Sequence, residues 1–287
     1  MKFIYDLKYK YARLNVLEKI IAINVVIFLV ATLLKPIIRP ALKWFELKSD
    51  LFEVILQPWS IVSYAFLHYD AIHLFFNMLW LYFIGRMFLN LFSVKTALNV
   101  YFLGAISGGV FFLIGYNVFP QIFDESAYLV GASAAVRALM LFLCAYSPNQ
   151  EVRVFTFNVK LMYIGFALVA IDVIGVFGNN SGGNLAHLGG AFLGYIYAKQ
   201  LAKGNDIGAG WERFVDSIMS LFSKKEKSVR MKTVHKRKKS SRKSKQATNT
   251  TDLSKQKRID NILDKIGKSG YESLSKDEKD FLFRAGK

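Results

Sequence analysis

Cysteine is almost absent from this chain, which has Cys144 and no other cysteine among its 287 residues. A single thiol excludes a disulfide within the chain, and no cysteine–histidine spacing typical of a zinc site occurs. The sequence therefore predicts no metal site and no cofactor. It also has no obvious internal repeat of the kind that many transporters carry, which counts against a transporter.

Charged residues are scarce in six apolar stretches, each near the roughly 20 residues that a helix needs to cross a bilayer. Hydrophobic residues make up 53% of the sequence, and 25 residues are Phe. The pattern predicts an all-α polytopic membrane protein with six transmembrane helices. The predicted spans are residues 18–38, 62–85, 97–119, 128–146, 158–178 and 184–202.

Positive charge is concentrated on one side of these spans. Because Lys and Arg are enriched on the cytoplasmic side of membrane proteins, both termini are predicted to be cytoplasmic. The segments after spans three and five, "NVFPQIFDES" and "FGNNSGG", have no basic residue and are predicted to lie outside. The basic residues are Lys2, Lys8, Lys10, Arg13 and Lys19 in the N-terminal segment, Arg86 and Lys95 after span two, and Arg153 and Lys160 after span four.

Much of the net charge of +17 lies in the tail, where Lys224–Lys245 contains a single acid, Glu226. This distribution favours attraction to anionic lipid at the cytoplasmic face over nucleic-acid binding. The predicted organisation is a cytoplasmic segment at 1–17, a membrane domain at 18–202, an amphipathic and then basic, disordered linker at 203–258, and a small helical hairpin at 259–287.

A serine in span four and a histidine in span six are predicted at similar depth. Ser133 lies about five residues, or roughly 8 Å, below the outer end of its span. His187 lies just below the outer end of span six. Gly131 near the serine, with Gly190 and Gly194 after the histidine, would permit close helix packing. A serine and a neutral imidazole placed in this way can form a nucleophile–base pair.

Span two has two polar side chains on one face. His73 and Asn77 are four residues apart, and polar groups within a membrane span are costly enough to need a function. With the backbone N–H of Ser133 near a helix start, they are predicted to form an oxyanion hole.

Two charged side chains are also predicted inside the membrane, Arg137 in span four and Asp172 in span five. An unpaired charge near mid-membrane costs about 2.5–3.5 kcal/mol on insertion scales. We therefore expect an ion pair that ties span five to span four. The alternative is that each charge faces a water-filled cavity alone.

The segments "GASA", "HLFFN" and "AHLGGAFLG" resemble those of the rhomboid intramembrane serine proteases, and the similarity covers approximately residues 15–202. The resemblance implies that Ser133 is the nucleophile and His187 the general base, with His73 and Asn77 in the oxyanion hole. It further implies a six-helix rhomboid-like bundle in a bacterial inner membrane. The substrate would be a single-pass or other transmembrane protein, admitted through a gate for which span five and "FGNNSGG" are the candidates.

The chain departs from the family pattern at three places. Ala134 stands where a glycine usually follows the nucleophile, Arg137 replaces a common aromatic residue, and the first loop has Trp59–Ser60 instead of Trp-Arg. The closing hairpin is similar to a cytoplasmic appendage of some bacterial rhomboids.

Two other functions therefore stay open. One is a catalytically inactive rhomboid-like protein that binds membrane helices. The other is a transporter or channel in which Arg137 and Asp172 mark an ion path. The presence of both Ser133 and His187 favours the protease, because a binding protein has no use for that pair.

Overall fold

The described part of the chain contains thirteen α-helices and two short antiparallel sheets. The computed structural model describes residues 2–123, 127–154, 156–222 and 250–285. The chain divides into two units, Met1–Lys224 and Lys225–Lys287.

The helices of the first unit are α1 (Lys2–Arg13), α2 (Val16–Leu33), α3 (Lys35–Leu42), α4 (Leu51–Leu56), α5 (Ser60–Ser63), α6 (Ala71–Leu91), α7 (Val94–Val118), α8 (Ser133–Tyr146), α9 (Leu161–Gly175), α10 (Ser181–Ala202) and α11 (Gly208–Phe222). Those of the second unit are α12 (Thr250–Ser269) and α13 (Lys276–Ala285). Strand β1 (Leu47–Lys48) pairs with β2 (Tyr128–Leu129), and β3 (Glu151–Val154) pairs with β4 (Phe157–Lys160).

A helix lies at each of the six predicted spans. Among the described residues, three helices are long and apolar enough to cross a membrane: α2, α6 and α7. Helices α8 and α9 are apolar but shorter, at 14 and 15 residues, and α10 has 22 residues. That all six helices cross the membrane stays a prediction.

The start of span two was predicted wrongly, because its helix begins at Ala71 and not at residue 62. The Asp70 carboxylate accepts a hydrogen bond from the His73 N–H at 2.7 Å and caps the first turn. Residues before it form the short helix α5 and a 3₁₀ turn that ends at Phe66. Residues 62–67 therefore precede helix α6 and do not extend it.

The start of span four was also predicted wrongly. Helix α8 begins at Ser133 itself, so the serine does not lie five residues into a helix. Tyr128 and Leu129 are extended and pair with β1. Gly131 follows with φ +119°, a backbone conformation that favours glycine and that a helix cannot continue through. The extended segment thus delivers Ser133 to the first position of the helix.

Helix α8 is the centre of the first unit, and ten of its 14 residues are buried. Helix α10 packs against it through glycines. A Cβ added at Gly190 would collide with the carbonyl oxygen of Ala134, and one at Gly194 with that of Ala138. This close approach fixes the spacing between the helix that carries Ser133 and the one that carries the predicted histidine.

Helix α9 contacts α8 and α10 through a narrow face. Its buried residues are Leu161, Gly165 and Asp172. Gly165 lies against Cys144 of α8, since an added Cβ would come within 3.0 Å of the Cys144 Cβ atom. Phe166, on another face, is 70% exposed. Much of α9 is therefore apolar surface that contacts no other part of the described unit.

After α10 the predicted amphipathic stretch forms helix α11. The Glu212 carboxylate accepts hydrogen bonds from Lys95 Nζ at 2.7 Å and from Asn99 Nδ2 at 2.8 Å. These contacts hold α11 to the start of α7. The basic run of residues 224–245 lies outside the described residues.

The second unit contains the predicted hairpin, but α12 begins at Thr250, nine residues earlier than the predicted boundary at 259. The Lys, Gln and Arg residues assigned to the linker here are good helix formers, so the helix continues through them. Lys265 Nζ donates to Glu278 at 2.9 Å, which joins α12 to α13. Hydrogen bonds from Lys265 and then from the Ser275 N–H hold the pKa of Glu278 below its usual value.

Candidate active site

A cavity of about 800 Å³ is lined by residues at the starts of α6, α8 and α10. Among its lining residues are Ser133, His187, His73, Asn77 and Arg137. The structure thus brings together side chains from three helices that are far apart in sequence. These are the residues that the sequence predicts to act as nucleophile, base and oxyanion donors, together with the predicted intramembrane arginine.

Ser133 is half-buried and is the first residue of α8. The first hydrogen bond of the helix runs from the Val136 N–H to the Ala132 carbonyl, so the N–H groups of the first turn are left without helical partners. The positive end of the helix dipole therefore points towards the cavity at this serine. A negative charge that forms beside Ser133 would be stabilised there.

The chain before Ser133 is held in place by two backbone hydrogen bonds. The Gly131 N–H donates to the Tyr64 carbonyl at 3.0 Å, and the Ala132 N–H donates to His68 Nε2 at 3.4 Å. Gly131 also lies against the His73 ring, because an added Cβ would come within 2.6 Å of the His73 Cε1 atom. A side chain at position 131 would displace the histidine that the sequence assigns to the oxyanion hole.

His187 lies in the second turn of α10, and its Nδ1 atom is 2.9 Å from Asp172 Oδ1 of α9. A carboxylate can only accept a hydrogen bond, so the proton of the neutral ring is on Nδ1. The Nε2 atom is then an unprotonated acceptor, as a general base requires. Within the described residues, no hydrogen bond joins His187 to Ser133, although both side chains line the same cavity.

Arg137 contributes a second donor to the same carboxylate oxygen. Its Nη2 atom is 2.9 Å from Asp172 Oδ1, and it approaches His187 Nδ1 at 3.5 Å because both groups bind that oxygen. The Arg137 side chain is 19% exposed and that of Asp172 only 1%. The two charges therefore meet, as the sequence analysis expects, and neither is left alone in the interior.

Asn77 is buried on the first turns of α6, next to the cavity. Its Nδ2 atom donates to the His73 carbonyl at 3.0 Å, which occupies one of the two amide protons. The second amide proton is available to a group in the cavity. His73 is half-buried on the same helix, so α6 offers an imidazole and an amide to the space beside Ser133.

Sequence reasoning missed two features of this site. It did not select His68, which is 2% exposed, binds the Ala132 N–H and lies with its ring centroid 5.1 Å from that of His73. The sequence feature that could have identified His68 is its position, five residues before His73 in a stretch with no other basic residue. That His187 shares Asp172 with Arg137 was likewise not predicted from the sequence.

Comparison with known proteins identifies families that match two parts of this chain. Residues 56–204 match the Rhomboid domain family, and residues 245–285 match a family of unknown function, DUF6576. RHOMBOID-like protein 12, mitochondrial, of Arabidopsis thaliana is 31% identical over 157 residues, which are 50% of this chain and 47% of that protein. Rhomboid protease GlpG of Serratia proteamaculans (strain 568) is 28% identical over 172 residues, which are 54% and 52% of the two chains.

A third relative is presenilin-associated rhomboid-like protein A, mitochondrial, of Danio rerio, 29% identical over 141 residues, which are 48% of this chain and 36% of the relative. The chain thus spans about half the length of the first two relatives. The apolar helices and these similarities define an integral membrane protein. The chain belongs to the rhomboid family.

Proposed function

We propose that this protein is an intramembrane serine endopeptidase that cleaves transmembrane helices near the outer face of the membrane. The observation that carries the proposal is the shared cavity of Ser133 and His187, in which hydrogen bonding to Asp172 leaves His187 Nε2 free to accept a proton. The family membership and the name of the GlpG relatives support the same reaction.

The proposed reaction is acyl transfer in two steps. Ser133 Oγ attacks the scissile carbonyl carbon while His187 Nε2 takes the hydroxyl proton, and the imidazolium then gives that proton to the leaving amine. Water hydrolyses the acyl-enzyme, again with His187 as the base. The oxyanion is stabilised by the Ser133 N–H, the free amide proton of Asn77 and the His73 ring.

The short length of α8 supports a cavity that water reaches from the outer side. A span takes about 20 residues, and α8 has 14, so it falls short by about six residues, or about 9 Å. In the proposed topology α8 begins at Ser133 and runs inward. The part of the membrane thickness that α8 does not cross therefore lies on the outer side of the serine. The nucleophile would thus lie below the outer surface, in reach of water and of a substrate helix.

The walls of the cavity support lateral entry between α6 and α9. Phe76 and Trp80 of α6 line one side, and Leu168 of α9 and residues 179–183 line the other. Because only a narrow face of α9 is buried, α9 is the helix that we propose to move. Helix α9 and the following segment "FGNNSGG" would move aside to admit a transmembrane helix from a single-pass or other membrane protein.

In the proposed topology the six helices span the cell membrane with both termini in the cytoplasm. The basic run of residues 224–245 would then face the anionic lipids of the cytoplasmic leaflet. No nucleic-acid partner is proposed.

The direct test is covalent labelling of Ser133 by a fluorophosphonate, together with cleavage of a model transmembrane substrate. Ser133→Ala and His187→Ala should each abolish labelling and cleavage while the protein stays folded. Ser147→Ala, at the other end of α8, is the matched control and should keep both. A labelled and active Ser133→Ala variant would overturn the proposal.

One observation favours a second candidate, a catalytically inactive rhomboid-like protein that binds membrane helices. Ser133 Oγ forms no hydrogen bond with His187 among the described residues. Such a protein would retain binding of the model substrate but show no Ser133-dependent labelling. The same experiment therefore separates the two candidates.

A further inference from the structure

The Asp172 carboxylate is buried at the point where α8, α9 and α10 meet. Its Oδ1 atom lies 2.9 Å from Arg137 Nη2 and 2.9 Å from His187 Nδ1. Its Oδ2 atom is buried and has no partner among the described residues. Leaving a buried carboxylate oxygen unpaired is costly. An ion pair between Asp172 and Arg137 does not by itself require the approach of His187 to the same oxygen, so this second contact needs its own explanation.

We propose that Asp172 is a positioning residue for His187, so that the site functions as a Ser133–His187–Asp172 triad with Arg137 holding the carboxylate. This inference rests on the proposed function. The carboxylate fixes the Nδ1–H tautomer and the orientation of the ring, and it stabilises the imidazolium that forms when the base takes the serine proton. Arg137 balances the buried negative charge and keeps the oxygen in reach of the ring.

The placement of Asp172 on α9 adds a consequence for regulation. Ser133 and His187 are on α8 and α10, which glycine packing holds at a fixed distance. Asp172 is on the helix with the narrow buried face, and it is the buried residue nearest the end of that helix. A displacement of α9 would withdraw the carboxylate from His187. The orientation of the base is therefore coupled to the closed position of α9.

The test measures the rate at which a small fluorophosphonate labels Ser133, because this probe does not need the entry of a substrate helix. Asp172→Asn keeps the shape but can favour the wrong tautomer, and the labelling rate should fall by about 10²- to 10⁴-fold. Asp172→Glu should recover part of the rate because it restores the charge. Asp206→Asn is the matched control, since Asp206 binds Tyr197 at the opposite end of α10, and it should label at the parent rate.

A second readout reports on the imidazole itself. The chain has four histidines, so ¹⁵N spectra of histidine-labelled protein in detergent can be assigned by comparison with His187→Gln. The parent should show His187 protonated at Nδ1, and Asp172→Asn should lose that signature. A merely structural role of Asp172 would change thermal stability without changing the tautomer.

The outcomes separate this inference from the proposed function. Parent-like labelling and an unchanged tautomer in Asp172→Asn would overturn the positioning role while the protease stands. If the parent is not labelled at all, the proposed function fails, and the spectra alone decide the His187–Asp172 contact. If Asp172→Asn does not fold, an Nε2–H tautomer of His187 in the parent still overturns the inference.

Discussion

Arg137 and Asp172 are 35 residues apart in sequence, and their Nη2 and Oδ1 atoms lie 2.9 Å apart between α8 and α9. Asp172 is 1% exposed and Arg137 19%. Removing one member leaves the other charge buried without its partner, which costs more than removing both. The pair is thus expected to fasten the loosely held α9 to the centre of the unit.

We predict a non-additive stability loss for this pair. Arg137→Leu and Asp172→Leu should each lower the free energy of unfolding, and the double variant should lose less than the sum, by about 0.5–3 kcal/mol. Unfolding in a fixed detergent, followed by heat and by denaturant, measures the three differences. Strictly additive losses would mean that the ion pair contributes nothing to stability.

Asn77 is predicted to act in the transition state. Asn77→Ala removes an amide proton aimed at the cavity, and kcat for a model transmembrane substrate should fall by about 10²–10³ with little change in KM. Asn90→Ala is the control, since Asn90 is an exposed residue of the same helix at its other end. A rise in KM at constant kcat would instead assign Asn77 to substrate binding.

Gly190 is predicted to be intolerant of any side chain. In Gly190→Ala the new Cβ would collide with the Ala134 carbonyl oxygen, so α10 must move away from α8. We expect a stability loss of about 1–3 kcal/mol, as for other overpacked sites, and slower labelling of Ser133. Gly210→Ala in α11 is the control: nothing lies within 4 Å of its Cβ, so it should be neutral or stabilising. Equal stability of the two variants would contradict the close approach of the helices.

The proposed topology predicts opposite accessibility for two engineered cysteines. Asn180→Cys, before α10, should react with an impermeant thiol reagent in intact cells, whereas Lys268→Cys, near the end of α12, should react only after permeabilisation. The native Cys144 is buried and should contribute little background. The reverse pattern would place the termini outside the cell and overturn the use of charge asymmetry.

The sequence was sufficient to predict which segments form the long apolar helices, because the length of each apolar stretch can be counted directly from its residues. Five of the polar residues that line the cavity could also be selected from the sequence, since each is unusual within an apolar stretch. The helix starts at Ala71 and Ser133 were missed for a physical reason. The start at Ala71 depends on the side-chain cap from Asp70. The start at Ser133 depends on the pairing of β2 with β1, a strand about eighty residues earlier in the sequence.

The contact between Asp172 and His187 could not be predicted from depth. Similar depth places two residues in one layer of a bundle, but the rotation of each helix about its axis decides which side chains meet. That rotation is set by packing contacts, such as Gly190 against the Ala134 carbonyl, which the sequence does not specify by itself. For the same reason the sequence alone could not show that Arg137 and His187 would bind one oxygen.

Because of its location, Cys144 can report the separation of α8 and α9 in the unmodified chain. This thiol is the only one in the sequence, and it is covered where Gly165 of α9 lies against α8. A reagent that reaches it reports that the two helices have separated. The rate of alkylation of the native protein, with and without a substrate helix, therefore gives the frequency of opening without a fluorophore or a mutation.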